Sequence, residues 1–133
     1  MTLKEYFNNT RGTGVLATAD SEGRTDAAIY SRPHIMDDGS LAFIMRERLS
    51  LNNLQSNPYA TFLFMEQAAH LNGIRLFMKK TGEDTNEELI SSMSRRNLTP
   101  EKDKAAGPKH IVYFNLEKIL SLVGGNEVDM EII

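Results

Sequence analysis

The sequence predicts a mainly β fold with short helices, arranged as a small, mostly antiparallel barrel. Three observations carry that expectation. About six segments of β-preferring residues recur along the chain, and residues of the hairpin-turn types, Asp20-Ser21-Glu22-Gly23 and Asp37-Asp38-Gly39, separate those in the first half. Helical patterns are short and sit at the start and in the crossovers. The length of 133 residues is that of one domain, large enough to bury roughly two-thirds of its unfolded surface without staples.

The chain opens on a short helical pattern. Thr2 and Glu5 have capping-box spacing, and Leu3, Tyr6 and Phe7 fall on one face. Gly12 and Gly14 break it and open an extended run, Val15 to Ala19. A second extended segment covers Thr25 to Arg32 and stops at Pro33, and Leu41 to Met45 is a third. A short helix over Ser50–Ser56 turns Leu51 and Leu54 inward and ends before Pro58, which pushes Asn57 out of the helical region. Tyr59 to Met65 reads as a buried strand, and Ile74 to Met78 as a further strand. The spacing predicts a helix over Thr85–Arg96, with Thr85 and Glu88 as a second capping box and Leu89, Ile90 and Met93 as its apolar stripe. Residues 97–109, with Pro100, Gly107 and Pro108, read as a mobile loop, and His110–Phe114 and Leu116–Val123 as the closing strands.

Composition excludes several functions. The sequence has no cysteine, which removes disulfides, Cys-based zinc sites, iron–sulfur clusters and thiol nucleophiles. A net charge of −3 with both signs mixed argues against nucleic-acid binding. No apolar run approaches the ~20 residues of a membrane span, and the first residues lack a signal-peptide pattern, so a cytoplasmic location is expected. Gly12-Thr13-Gly14-Val15-Leu16-Ala17 matches G-x-G-x-x-A. A dinucleotide fingerprint follows a strand and opens a helix, however, and here the order is reversed. His34, His70 and His110 have no ligand spacing, so no metal site is expected. Neither a nucleophile elbow nor a Walker motif occurs.

One stretch has the composition of a binding site. In Arg46-Glu47-Arg48-Leu49-Ser50-Leu51-Asn52-Asn53, two guanidinium groups, a hydroxyl and two amides lie where a strand ends and a helix begins. Arginine forks bind phosphate bidentately, and helix-start N–H groups point outward, so the stretch suits a phosphate cradle. The same residues also fit a solvated loop with Ser50 as helix cap.

The order of Gly14-Val15-Leu16-Ala17-Thr18, Asp20-Ser21-Glu22-Gly23, the Thr25–Arg32 strand, Asp37-Asp38-Gly39, Leu41-Ala42-Phe43, Asn53-Leu54 and Asn57-Pro58-Tyr59-Ala60 resembles the flavin-binding split-barrel family. That family includes pyridoxamine 5′-phosphate oxidase and small FMN-binding proteins. The resemblance spans roughly residues 12–80 and implies a six-stranded antiparallel split barrel, with residues 1–133 as a single FMN-binding domain. It also implies a homodimer with FMN in clefts at the subunit interface.

Carried over by position, the phosphate element falls on Arg48, Leu49 and Ser50. The oxidases have S-x-K there. Ser50 stands in place of the lysine, and Arg46 or Arg48 would restore its charge. Ile29, Tyr30, Ser31 and Arg32 would line the isoalloxazine ring, and Met45 and Asn53 complete the residues assigned to the cofactor. The chain ends Glu127-Val128-Asp129-Met130-Glu131-Ile132-Ile133, without the substrate-binding segment of the oxidases, so pyridoxamine phosphate oxidation itself is not expected. The implied function is an FMN-dependent oxidoreductase whose electron partner is a small molecule or redox protein. A member binding haem or a deazaflavin, or a cofactor-free dimeric binding or stress-response module, is the alternative. Dimerisation has a physical motive too. Residues 60–65 and 74–78 are apolar at most positions rather than alternate ones, so both faces need cover. The resemblance further implies that aromatics such as Tyr113 or Phe114 of the neighbouring subunit close over the flavin.

Overall fold

The computed structural model describes residues 1–68, 70–94 and 99–133. Helix α1 (Leu3–Asn9) starts on a complete capping box, with Thr2 Oγ1 accepting the Glu5 N–H at 3.1 Å and Glu5 Oε1 accepting the Thr2 N–H at 3.0 Å. Its Leu3, Tyr6 and Phe7 are buried, as their spacing requires. Strand β1 (Gly12–Ala19) forms a hairpin with β2 (Thr25–Ile29), and the Asp20 carboxylate accepts the N–H groups of Glu22 and Arg24 in the turn. Strand β3 (His34–Ile35) forms a hairpin with β4 (Leu41–Arg46). Helix α2 (Leu49–Ser56) then leads to β5 (Tyr59–Glu66) and β6 (Gly73–Asp84). Helices α3 (Glu87–Met93) and α4 (Pro100–Ala105) precede the last strand, β7 (Lys109–Ser121).

The strands make one antiparallel sheet of seven, in the order β2-β1-β5-β6-β7-β4-β3. The two edge strands are consecutive in the chain, so the sheet curls into a half-barrel whose open seam lies between β2 and β3. Phe43, Phe62, Phe64 and Phe114 are buried inside it, with Phe43 at 5.2 Å from Phe62 and 5.7 Å from Phe114 between ring centroids. The buried side chains of α1 and α2 join this core, and α3 packs Ile90 and Met93 on the outer face against Ala42 and Ile111. The C-terminal residues return to α1, where Leu3 N–H donates to the Glu131 carbonyl at 2.7 Å.

Several expectations need correction. The sheet has seven strands rather than six. The segment expected over Thr25–Arg32 ends as a strand at Ile29, and the chain crosses the seam there to pair with β4 instead. Pro33, which has no N–H to give a ladder, lies in that crossing. The expected closing strands are one strand, β7, which follows β6 through two register shifts. These bulges let a long strand bend around the barrel without breaking. Strand β6 itself continues to Asp84, well past Met78.

The loop expected over residues 97–109 contains α4, whose N-cap Thr99 accepts the Lys102 N–H ahead of a first-turn proline. Helix α3 starts at Glu87 on Asn86, whose side chain accepts the Leu89 N–H, so Thr85 and Glu88 do not form its cap. The end expected for that helix, at Arg95 and Arg96, lies outside the described residues. Helix α2 starts at Leu49, so Ser50 is inside its first turn and not its cap. On β5 and β6, side chains alternate despite their apolar sequence: Phe62, Phe64, Leu76 and Met78 are buried, while Leu63 and Phe77 point outward and are half-buried. No helix of the described residues is long and apolar enough to cross a membrane.

Candidate functional site: a cationic cleft at the open seam

The seam forms a cleft of about 230 Å³ between the 29–32 segment and the outer side of β4. One wall is the chain as it leaves β2. Tyr30 N–H donates to the Gly14 carbonyl at 3.0 Å, which extends the β1–β2 pairing by one residue. Arg32 is then held against the end of α1, its Nη1 donating to the carbonyls of Phe7 at 2.5 Å and Thr10 at 3.0 Å. Phe43, Ile44 and Met93 form an apolar floor.

Cationic groups surround that floor. Arg32, Arg46, Arg48 and Lys109 line the cleft, and among the described residues no aspartate or glutamate does. Arg46 and Lys109 are directly paired across the β4–β7 ladder. Like charges placed opposite one another repel, and here Asp103 of α4 lies between them. Its Oδ1 is 2.8 Å from Arg46 Nη2 and 2.8 Å from Lys109 Nζ. Hydrogen bonds from Lys109 and then Arg46 hold the Asp103 carboxyl below its ordinary range. Arg46 Nη1 also donates to the Gly107 carbonyl at 2.5 Å, so one guanidinium ties the second half of α4 and the residue beyond its end to the barrel.

Arg48 differs. It is exposed, it occupies the N-cap position of α2 with no side-chain cap hydrogen bond, and its guanidinium has no ion-pair partner among the described residues. Beneath it, Tyr30 packs edge-on against Phe43 at 6.2 Å. Burial raises the Tyr30 hydroxyl's pKa, while a hydrogen bond with Ser50 and the charge of Arg48 oppose that rise. Ser50 is buried and its Oγ lies 3.5 Å from Asp26 Oδ2, at the limit of a hydrogen bond.

The structure thus brings together Ile29, Tyr30, Ser31, Arg32, Arg46 and Arg48, six of the residues expected around a cofactor. The others lie elsewhere. Met45 is buried in the core, and Leu49 is 54% exposed on a neighbouring cleft. Ser50 and Asn53 face into the barrel from α2, with Asn53 Nδ2 donating to Thr18 Oγ1 at 3.0 Å. Sequence reasoning missed His34, Phe43, Ile44, Met93, Ser94 and Lys109. No local pattern marks them; Lys109 is found only once its pairing with Arg46 is known. Among the described residues, no group of three or more His, Asp or Glu converges on a metal position.

No family model matches the sequence, and no curated protein matches it. Solved structures match its fold throughout. An FMN-binding protein from Syntrophomonas wolfei superimposes with a TM-score of 0.71 at 18% identity, covering 94% of this chain and 86% of its own. An F420 reductase gives a TM-score of 0.66 at 15% identity over 87% of this chain and 94% of its own. A candidate pyridoxamine 5′-phosphate oxidase from Lactobacillus delbrueckii gives 0.63 at 13% identity over 89% of each chain. The chain therefore has the fold of these split-barrel proteins.

Proposed function

We propose that this split-barrel chain binds FMN in the seam cleft and acts as a flavin-dependent oxidoreductase, with a second copy of the chain covering the cleft's open side. The observation that carries this reading is the cleft's composition: an apolar floor ringed by guanidinium and ammonium groups with no carboxylate among its lining residues. A flat, largely apolar ring with a phosphate tail needs that combination. The unpaired guanidinium of Arg48, beside the open first turn of α2, would hold the phosphate. The Ile29–Arg32 segment would run along the ring's polar edge, with Phe43 and Ile44 beneath it. Bound flavin supplies the electron transfer, and the chain supplies binding, orientation and shielding from water.

The dimer has a structural motive. Sites that bury a ligand usually enclose about 300–1,000 Å³, and one protomer encloses about 230 Å³. An apolar row, Ile29-Val15-Leu63, runs across neighbouring strands on the outer face and starts at the cleft. Ile29 is 67% exposed. A partner covering that row reaches the cleft and completes its wall.

The test is the absorption spectrum of freshly purified protein, followed by FMN titration read by quenching of flavin fluorescence. Bound FMN, released as FMN and not FAD on heating, is expected. No quenching with excess FMN sinks the reading. The likeness to an F420 reductase favours a deazaflavin as the second reading, which the same spectrum distinguishes.

A further inference from the structure

The contact between Arg46, Lys109 and Asp103 carries a meaning beyond flavin binding. Arg46 and Lys109 have only 14% and 20% of their side chains exposed, whereas Asp103 has 43% exposed. The cations are fixed opposite one another by the β4–β7 ladder. The carboxylate reaches them from a six-residue helix that buries no side chain. Two sheltered cations held side by side need an anion between them. The barrel therefore fixes the cations, and the carboxylate is the most exposed of the three groups. Both cations also line the seam cleft, and Asp103 does not; it reaches them from the adjoining surface, where Pro100, Asp103 and Lys104 sit.

We propose that Arg46 and Lys109 form an anion subsite at the mouth of the cleft, separate from the Arg48 end. It takes the carboxylate or phosphate of the small molecule that exchanges electrons with the flavin. Asp103 is its built-in occupant, and its carboxylate leaves the two cations as that anion arrives. The role given to this small molecule rests on the flavin reading. The subsite itself does not.

Inorganic phosphate and acetate, titrated into the full chain without flavin and followed by NMR shifts of Arg46 and Lys109, test this and distinguish the two anion classes. In Asp103→Asn, at least one probe should bind about tenfold tighter than in the wild type, because the competing carboxylate charge is gone. Adding Lys109→Gln to Asp103→Asn should abolish the gain. Asp103→Ala repeats the measurement should the asparagine keep a hydrogen bond to Arg46. Equal affinities in wild type and both Asp103 variants overturn the proposal, as does a gain that survives Lys109→Gln. An FMN affinity lowered tenfold in Lys109→Gln also overturns it, since the pair would then be the flavin's own phosphate site. If phosphate responds as expected but FMN does not bind the wild type, the flavin reading fails and the subsite stands.

Discussion

Asn53 and Thr18 are hydrogen-bonded to one another inside the barrel, the Asn53 Nδ2 donating to Thr18 Oγ1 at 3.0 Å with both side chains buried. This bond fixes α2 to β1 and so places the helix start beside the cleft. Asn53→Ala should lower stability by about 1–3 kcal/mol, because it leaves the Thr18 hydroxyl unpartnered in the interior. Urea unfolding measures the loss. A double variant with Thr18→Val should lose less than the sum of the two, since the partners share one bond.

Gly14 leaves no room for a side chain. A Cβ there would lie 2.3 Å from Phe62 Cζ and 2.5 Å from the Tyr30 carbonyl oxygen. Gly14→Ala should therefore cost about 1–3 kcal/mol by overpacking and displace Tyr30 from the cleft wall. Gly82→Ala, where nothing lies within 4 Å, is the control and should leave the thermal midpoint nearly unchanged.

Arg48 lines the cleft with its guanidinium exposed and without an ion-pair partner among the described residues. Arg48→Ala should weaken FMN binding about tenfold or more, the worth of a charge-assisted hydrogen bond of ~1.5–3 kcal/mol. The unfolding midpoint should stay the same, because the side chain is exposed and unpaired among the described residues. Fluorescence titration and thermal denaturation of the same sample check both halves.

The Asp103 contact should weaken in acid. The carboxyl is held below its ordinary range by Lys109 and then Arg46. Its stabilisation is therefore complete above the ordinary carboxylate pKa and is lost as pH falls through the lowered one. In thermal melts, wild type should exceed Asp103→Asn at pH 7, and the gap should close only in acid below the ordinary carboxylate range. A gap that is constant with pH would mean that the carboxylate charge contributes nothing.

The apolar row on the outer face predicts self-association. Leu63→Glu places a charge beside Val15 on that face and should shift the sedimentation of the full chain from dimer to monomer with unchanged circular dichroism. A wild-type chain that sediments as a monomer at micromolar concentration refutes the interface.

Much of the fold was legible from local chemistry. The Thr2/Glu5 cap and the Asp20–Gly23 turn formed as read, because each is decided by side chains within four residues of one another. The stop before Pro58 also stood where expected, since proline acts on its immediate neighbour. Thr85 against Asn86 as the cap of α3 is a choice between adjacent residues of similar type, and local pattern does not separate them. The α4 helix was legible in principle through Thr99 and Pro100, but the proline-, glycine- and lysine-containing stretch around it reads as a loop.

The sequence by itself determined most of the strands and turns and the residues that approach the cleft from two short segments, Ile29 to Arg32 and Arg46 with Arg48. Those depend on propensity, period and chain proximity. Only the tertiary structure decided that the second segment splits at the seam, that β7 is one bulged strand, and that Lys109 faces Arg46. It also decided that Ser50 and Asn53 turn inward while Arg48 remains outside. These outcomes depend on which strands pair and in what register. Pairing is set by burying Phe43, Phe62, Phe64 and Phe114 together, a cooperative choice among residues tens of positions apart that no local window contains.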